Sequence, residues 1–185
     1  AGGDVTVLAK AIGYDPRIGN RFLQAGIGFG GGCLPKDIRA FMARAQELGA
    51  DQALEFLREI DAINIRARQR VIDVVRGELS EDLTQYKIAV LGATFKPDSD
   101  DVRDSPALDI AAQLQAAGAI VVVHDPQGIE PARKRFPNLE YQEVVTDALK
   151  DADLILHLTE WKEYRQIDPT AISSLVKSKI IIDGR

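Results

Sequence analysis

The sequence predicts an α/β protein in two parts, a helical region followed by a parallel sheet wound with helices on both faces. Three observations predict it. Residues 4 to 77 carry apolar side chains at helical spacing. The pattern then switches to short β-branched runs, at Lys87 to Leu91, Ala119 to Val123, Asp153 to His157 and Lys179 to Ile182. Segments with helical periodicity separate these runs. A run that is apolar on both sides suits a parallel sheet covered on both faces, not a sheet with one face in water.

Taken in order, Asp4 before Val5-Thr6-Val7-Leu8 reads as the cap of a first helix. Pro35 suits the first position of a second, because its missing N–H is not needed there, and Lys36 to Leu48 continues with helical spacing. A third helix spans Asp51 to Arg76, with a stripe of Phe56, Leu57, Ile60, Ile63, Ala67, Val71, Val74 and Val75. At 1.5 Å per residue it is roughly 40 Å long, more than a small domain needs for itself. A second apolar line of Leu54, Ile65 and Ile72 lies off the stripe, so the helix is expected to pack on a partner and to make a homodimer. Residues 1–77 therefore form a helical dimerisation region, 78–86 a polar linker, and 87–185 a Rossmann-like sheet domain. In that domain Ser105 caps, and Pro106 begins, a helix to Ala117. Further helices fall near Ile129 to Phe136, Val144 to Lys150 and Pro169 to Val176, with an edge strand at Leu139 to Gln142.

Composition excludes several classes. With 45% hydrophobic and 28% charged residues among 185, the chain is ordinary for a globular protein. A net charge of −5 argues against general nucleic-acid binding. The single cysteine excludes an intrachain disulfide, and no apolar run approaches a membrane span. No metal site is expected. With no signal peptide in view, a cytoplasmic, reduced setting is expected, and both ends read as cut from a longer chain.

Chemistry concentrates in Gly28 to Asp37, Gly-Phe-Gly-Gly-Gly-Cys-Leu-Pro-Lys-Asp. Cys33 stands between a glycine run and a helix start, where free N–H groups, the positive end of the helix dipole and Lys36 favour a thiolate nucleophile. Asp37 is one turn on, placed to hold or activate a water. In a parallel sheet ligands bind beyond the carboxyl ends of the strands, here Thr94 to Lys96, His124 to Pro126, Thr159 to Trp161 and Asp183 to Arg185. The first of these loops is Gly92-Ala-Thr-Phe-Lys-Pro97, without the Gly-x-Gly-x-x-Gly turn of a dinucleotide site. Lys96 reads instead as a point charge for a nucleotide diphosphate, with Arg103 helping to offset Asp98, Asp100 and Asp101. His124 and His157 end buried runs and read as structural, and Trp161 as a packing residue.

The decapeptide resembles the active-site segment of the UDP-glucose/GDP-mannose dehydrogenase family, with Gly32 where that family usually has serine. Asp15-Pro-Arg-Ile-Gly-Asn20, Thr94-Phe-Lys-Pro97, Asp101-Val-Arg-Asp-Ser-Pro106, Asp125-Pro126, Thr159-Glu-Trp161 and Asp183-Gly-Arg185 resemble further family signatures, in family order. The resemblance implies oxidation of a UDP-sugar C6 alcohol to the carboxylate with NAD, through a thiohemiacetal and a thioester on Cys33, with Asp37 serving the hydrolytic water. UDP-glucose is the expected substrate. GDP-mannose, a UDP-N-acetylhexosamine, or a noncatalytic nucleotide-binding dimer are the alternatives. It also implies substrate contacts at Gln24, Ala25, Gly26, Ile27, Gly28, Phe29, Gly30, Phe95, Lys96 and Arg185, and cofactor contacts at Cys33, Leu34, Pro35, Lys36 and Arg103. Arg17 is implied to reach the substrate site of a neighbouring subunit. The family's NAD domain lies outside these residues, so the chain alone is expected to be inactive.

Overall fold

The computed structural model describes residues 2–185. The helical region comprises α1 (Val5–Gly13), α2 (Leu34–Glu47) and α3 (Glu55–Glu78), with a short 3₁₀ turn at Asp51–Leu54 ahead of α3. The sheet region runs β1 (Lys87–Leu91), α4 (Pro106–Ala116), β2 (Ile120–His124), α5 (Ile129–Arg135), β3 (Glu140–Tyr141), α6 (Val145–Leu149), β4 (Leu154–His157), α7 (Pro169–Ile172) and β5 (Ile181–Asp183). All five strands are parallel, in the order β3-β2-β1-β4-β5. The edge strand expected at Leu139 to Gln142 is the two-residue β3. The last apolar run pairs only from Ile181, two residues later than its sequence suggests.

Alternate residues of each strand serve opposite faces, as the period of two requires. Ile88, Val90, Val121, Val123, Leu154 and Leu156 meet Leu108, Ile110 and Leu114 of α4 in the larger core. Ala89, Leu91 and Ile155 meet Leu149, Trp161 and Tyr164 in the smaller one. The caps behave as read: Asp4 accepts from the Thr6 N–H at 2.8 Å, and Ser105 Oγ accepts from Leu108 N–H while donating to the Ala93 carbonyl at 2.6 Å.

α3 departs from its sequence reading in an informative way. Its buried residues are Asn64, Arg68, Val71, Ile72 and Val75. Phe56, Ile60, Ile63 and Val74, expected on the inward stripe, are exposed, as is Ile65. Ile72, assigned to the outward line, is 3% exposed and shares the larger core with Val71, Val75 and Leu108. The inward face is thus polar at Asn64 and Arg68, near the middle of the helix, and apolar beyond them at Val71, Ile72 and Val75. Counting apolar residues alone could not see the polar part. Through Val71, Ile72 and Val75 the helix also belongs to the core of the sheet.

The pairings Leu91↔His124, Leu91↔His157 and His157↔Asp183 bring the carboxyl ends of β1, β2, β4 and β5 level with one another. The loops leaving them form one surface, and the segment before α2 lies across it.

Candidate functional site

The segment leading to Cys33 is built on bare backbone. Gly28 has φ +103°, the left-handed region, and a Cβ there would stand 2.2 Å from Asn64 Oδ1, so only glycine fits. Asn64 accepts from the Phe29 N–H at 2.8 Å and donates to the Phe29 carbonyl at 2.9 Å. Gly31 N–H then bonds the Arg103 carbonyl at 2.9 Å, and the Phe95 ring covers Gly31 closely enough that a Cβ would lie 2.9 Å from its carbons. Cys33 follows as the residue that caps α2, exposed, with no side-chain cap bond. The helix begins at Leu34, so Pro35 takes its second position rather than the first expected. The reason that suits proline is unchanged, since the first four N–H groups of a helix have no partner within it.

Lys36 turns to Asp37, with Nζ 3.2 Å from Oδ1 and both side chains mostly in solvent. Arg103 is the other cation near the thiol. Its guanidinium forks onto Asp101 at 2.9 and 2.8 Å and lies over Gly32, where a Cβ would meet Arg103 Cζ at 2.3 Å. Asp101 raises the Arg103 pKa, with a smaller contribution from Cys33. A serine at position 32 would displace this guanidinium, which gives the departure from the usual family residue a local consequence.

Behind the segment, Asp125 organises the loops at the strand ends. Its buried carboxylate accepts from Ala93 N–H, Thr94 N–H, Thr94 Oγ1 and Trp161 Nε1 on one oxygen, and from Gln127 N–H and Gly128 N–H on the other. Trp161 is therefore both packed and bonded. Gly92, at φ +112°, closes against Thr159, where a Cβ would lie 2.5 Å from Thr159 Cβ. Asp125 and Trp161 are buried behind the loop that leaves β1, and that loop lacks the Gly-x-Gly-x-x-Gly turn that cradles a dinucleotide pyrophosphate. Around Cys33, Lys36 and Arg103 present the cationic groups that an anionic cofactor would meet, each also paired with a carboxylate, Asp37 and Asp101.

The large concavity is elsewhere. A cleft of about 1180 Å³ runs between α1, the segment 20–29 and the ends of β4 and β5. Gln24, Ala25, Gly26, Gly28 and Phe29 line one wall, and His157, Glu160, Asp183 and Arg185 the other. Arg185 bonds Glu160 through Nε, and its Nη1 lies 3.0 Å from where a Gly26 Cβ would be. Burial pushes the Glu160 carboxyl up, but the Arg185 hydrogen bond and the charges of Arg185 and His157 more than offset it, leaving the acid below its usual range. His157 Nδ1 is 2.9 Å from Asp183 Oδ1. On β2, His124 Nδ1 is 2.9 Å from the Tyr164 hydroxyl, which donates to the His124 carbonyl at 2.9 Å. Burial holds His124 below its usual pKa, against the pull of Asp125, as befits a structural histidine.

The structure thus brings together Gln24 to Gly30, Phe95, Lys96, Cys33, Arg103 and Arg185 on one side of the molecule. Lys96 is exposed, 5.4 Å from the Phe95 ring centroid. Ile27 turns away into the core at 4% exposure, where it anchors the segment beside Gly184. Arg17 stands apart from the cleft, paired with Asp15 in solvent. The sequence reading did not mark Asn64 or Arg68, and gave Glu160 and Asp125 no role beyond their places in signatures. The polar gaps in the stripe of α3 were the signal available for the first two.

The sequence matches the UDP binding domain of the UDP-glucose/GDP-mannose dehydrogenase family over residues 89–185 and the central domain of the same family over residues 1–66. The UDP-glucose 6-dehydrogenase of Rhizobium meliloti (strain 1021) is 39% identical over 184 residues, covering 100% of this chain and 42% of that protein. The structure of a UDP-glucose dehydrogenase from Pyrobaculum islandicum superposes with a TM-score of 0.86 at 32% identity, covering 100% of this chain and 40% of that one. A UDP-D-ManNAc dehydrogenase from Pyrococcus horikoshii superposes with a TM-score of 0.78 at 27% identity, over 100% of this chain and 41% of its own. The chain spans about two fifths of the length of the curated relatives it matches.

Proposed function

The chain belongs to the UDP-glucose/GDP-mannose dehydrogenase family, and from that premise we propose that it supplies the sugar-nucleotide cleft and the thiol nucleophile for oxidation of UDP-glucose to UDP-glucuronate. One observation carries the reading. The segment that lines the cleft from Gln24 to Phe29 runs directly into the glycines before Cys33, so a ligand held against Arg185 lies along the path to an exposed thiol at a helix start.

In this reading Arg185 and Lys96 meet the diphosphate, and the bare backbone of Gly26 to Gly30 lets the sugar approach. The C6 alcohol loses its hydroxyl proton to solvent and a hydride to become the aldehyde, and each of two NAD+ molecules, bound in turn, would take one of the two hydrides lost from C6. Cys33 Sγ adds to the C6 aldehyde, its proton passing to the oxygen, to give a thiohemiacetal. Loss of the second hydride and of the hydroxyl proton leaves a thioester. Water attacks that thioester while Asp37 takes one of its protons, the thiolate leaves, and the second water proton passes from the new carboxyl group to the sulfur, giving the carboxylate and restoring the thiol. Lys36 and Arg103 serve the cofactor side, with Leu34 and Pro35 between them.

NAD would be held mainly by sequence outside these residues, in line with the greater length of the relatives and with the loop after β1 lacking the glycine turn of a dinucleotide site. These 185 residues alone would then be inactive. Phe56, Ile60 and Ile63 on one exposed flank of α3 and Ile65 on the opposite flank are the proposed homodimer surfaces, and Arg17 the residue that reaches a neighbouring subunit. A cytoplasmic setting belongs to the same proposal. Among the described residues no helix is long and apolar enough to cross a membrane.

Calorimetry with UDP-glucose, GDP-mannose, a UDP-N-acetylhexosamine and NAD tests this directly. The expected result is binding of UDP-glucose in preference to the other sugar nucleotides, lost in Arg185→Ala. Preference for GDP-mannose, or binding of NAD alone, would replace the assignment.

A further inference from the structure

The residue that shapes the cleft's glycine segment sits on α3 rather than in the segment itself. Asn64 is 3% exposed, and its carboxamide is matched to both polar groups of Phe29, accepting from the N–H at 2.8 Å and donating to the carbonyl at 2.9 Å. Gly28 is the other half of the match, since a Cβ there would lie 2.2 Å from Asn64 Oδ1. One turn along the same face, Arg68 holds Asp104 at 2.9 Å and Asp109 at 3.1 Å. Asp104 follows Arg103, whose carbonyl takes the Gly31 N–H at 2.9 Å. The chain between these two fixed points is Phe29 to Gly31, and Cys33 lies just beyond.

We propose that Asn64 is a positioning residue, which holds the Gly28–Phe29 turn in the shape that receives the sugar nucleotide and aims Cys33 at it. The proposal rests on the cleft being the sugar-nucleotide site.

The test compares Asn64→Asp with Asn64→Ala and with the unchanged chain. Aspartate keeps an acceptor for the Phe29 N–H but turns a second oxygen toward the Phe29 carbonyl. Only the protonated acid can donate there, and facing a carbonyl in a buried site raises its pKa. At neutral pH, exchange of the Phe29 amide proton, followed by NMR, should quicken about tenfold or more in both variants, and UDP-glucose affinity should fall about tenfold. As the pH is lowered from about 7 to about 5, Asn64→Asp should recover both properties and Asn64→Ala neither. Gly28→Ala attacks the same contact from the other side and carries the test if Asn64→Asp does not fold. It should weaken UDP-glucose binding as Asn64→Ala does, and the double variant should be no worse than either alone. Unchanged Phe29 exchange and UDP-glucose affinity in these variants would overturn the proposal. If the unchanged chain takes up no UDP-glucose, the reading of the cleft fails instead, and Phe29 exchange alone decides whether Asn64 is the clamp.

Discussion

Replacing Asp125 by asparagine should separate the loops at the sheet's carboxyl edge from the strands that present them. One carboxylate oxygen serves four donors, from Ala93, Thr94 twice and Trp161, and the other serves Gln127 and Gly128. An asparagine of the same shape must turn its NH₂ toward one of these sets. The lesser loss comes from facing Gln127 and Gly128, whose N–H bonds of 3.0 and 2.7 Å are then replaced by two donors pointed at a third. At roughly 1–3 kcal/mol for each polar group left without its partner in a buried site, partly relieved by relaxation, the cost is about 2–4 kcal/mol. For a chain of this size about 2–4 °C is lost per kcal/mol, so the melting temperature should drop by about 5–15 °C. Thermal melts followed by circular dichroism, with urea titration as a check on the slope, measure it. UDP-glucose affinity should fall as well, because the loop carrying Phe95 and Lys96 starts from the two N–H groups that Asp125 holds. Melting within about 1 °C of the unchanged chain would refute the view that this carboxylate organises the edge.

Acid should destabilise the chain in two stages. Folding lowers the pKa of His124 from its usual 6.5, so the stability gained by burying the neutral ring is present above that value and is lost as the pH falls toward the folded pKa. Glu160 is likewise lowered from 4.5, so the contribution of its pairing with Arg185 is present above 4.5 and disappears as the pH falls through the depressed value; Glu160→Gln should flatten that second limb in melts taken across pH. Ile65→Asp, at an exposed site, should change stability by no more than about 0.5 kcal/mol yet turn the proposed dimer into a monomer in sedimentation. Ile72→Asp, at a core site, should lower stability by about 3–5 kcal/mol whatever the assembly, and similar melts for the two variants would contradict the placement of α3.

The sheet was legible because its evidence is local. Runs such as Ile88 to Leu91 and Val121 to Val123 are apolar on both sides, and Ser105-Pro106 marks a helix start by its own chemistry. The glycine segment before Cys33 stood out for the same reason, as a short pattern of unusual residues, and Arg185 entered by its place at a strand end. What was not legible is pairing across distance. Asn64 and Arg68 interrupt an apolar stripe and look like solvent positions until Phe29 and Asp104 are brought against them. Ile72 looked like a partner-facing residue because periodicity gives the angle between side chains on a helix but not which angle faces the core. Asp125 gave no sign that six hydrogen bonds converge on it, since its donors come from three separate loops.

The claim that most depends on Cys33 is that the substrate carbon becomes bonded to its sulfur. Joined to the NAD-binding sequence proposed to lie outside the chain, the protein should be mixed with UDP-glucose and NAD, quenched in acid within one turnover and weighed intact. A substrate-derived adduct on the peptide containing Cys33 is the expected result, absent in Cys33→Ser, which should still bind UDP-glucose while making no uronate. A serine variant that forms UDP-glucuronate at the unchanged rate, with no adduct on Cys33 in the parent protein, would contradict the nucleophilic role on which the proposed function stands.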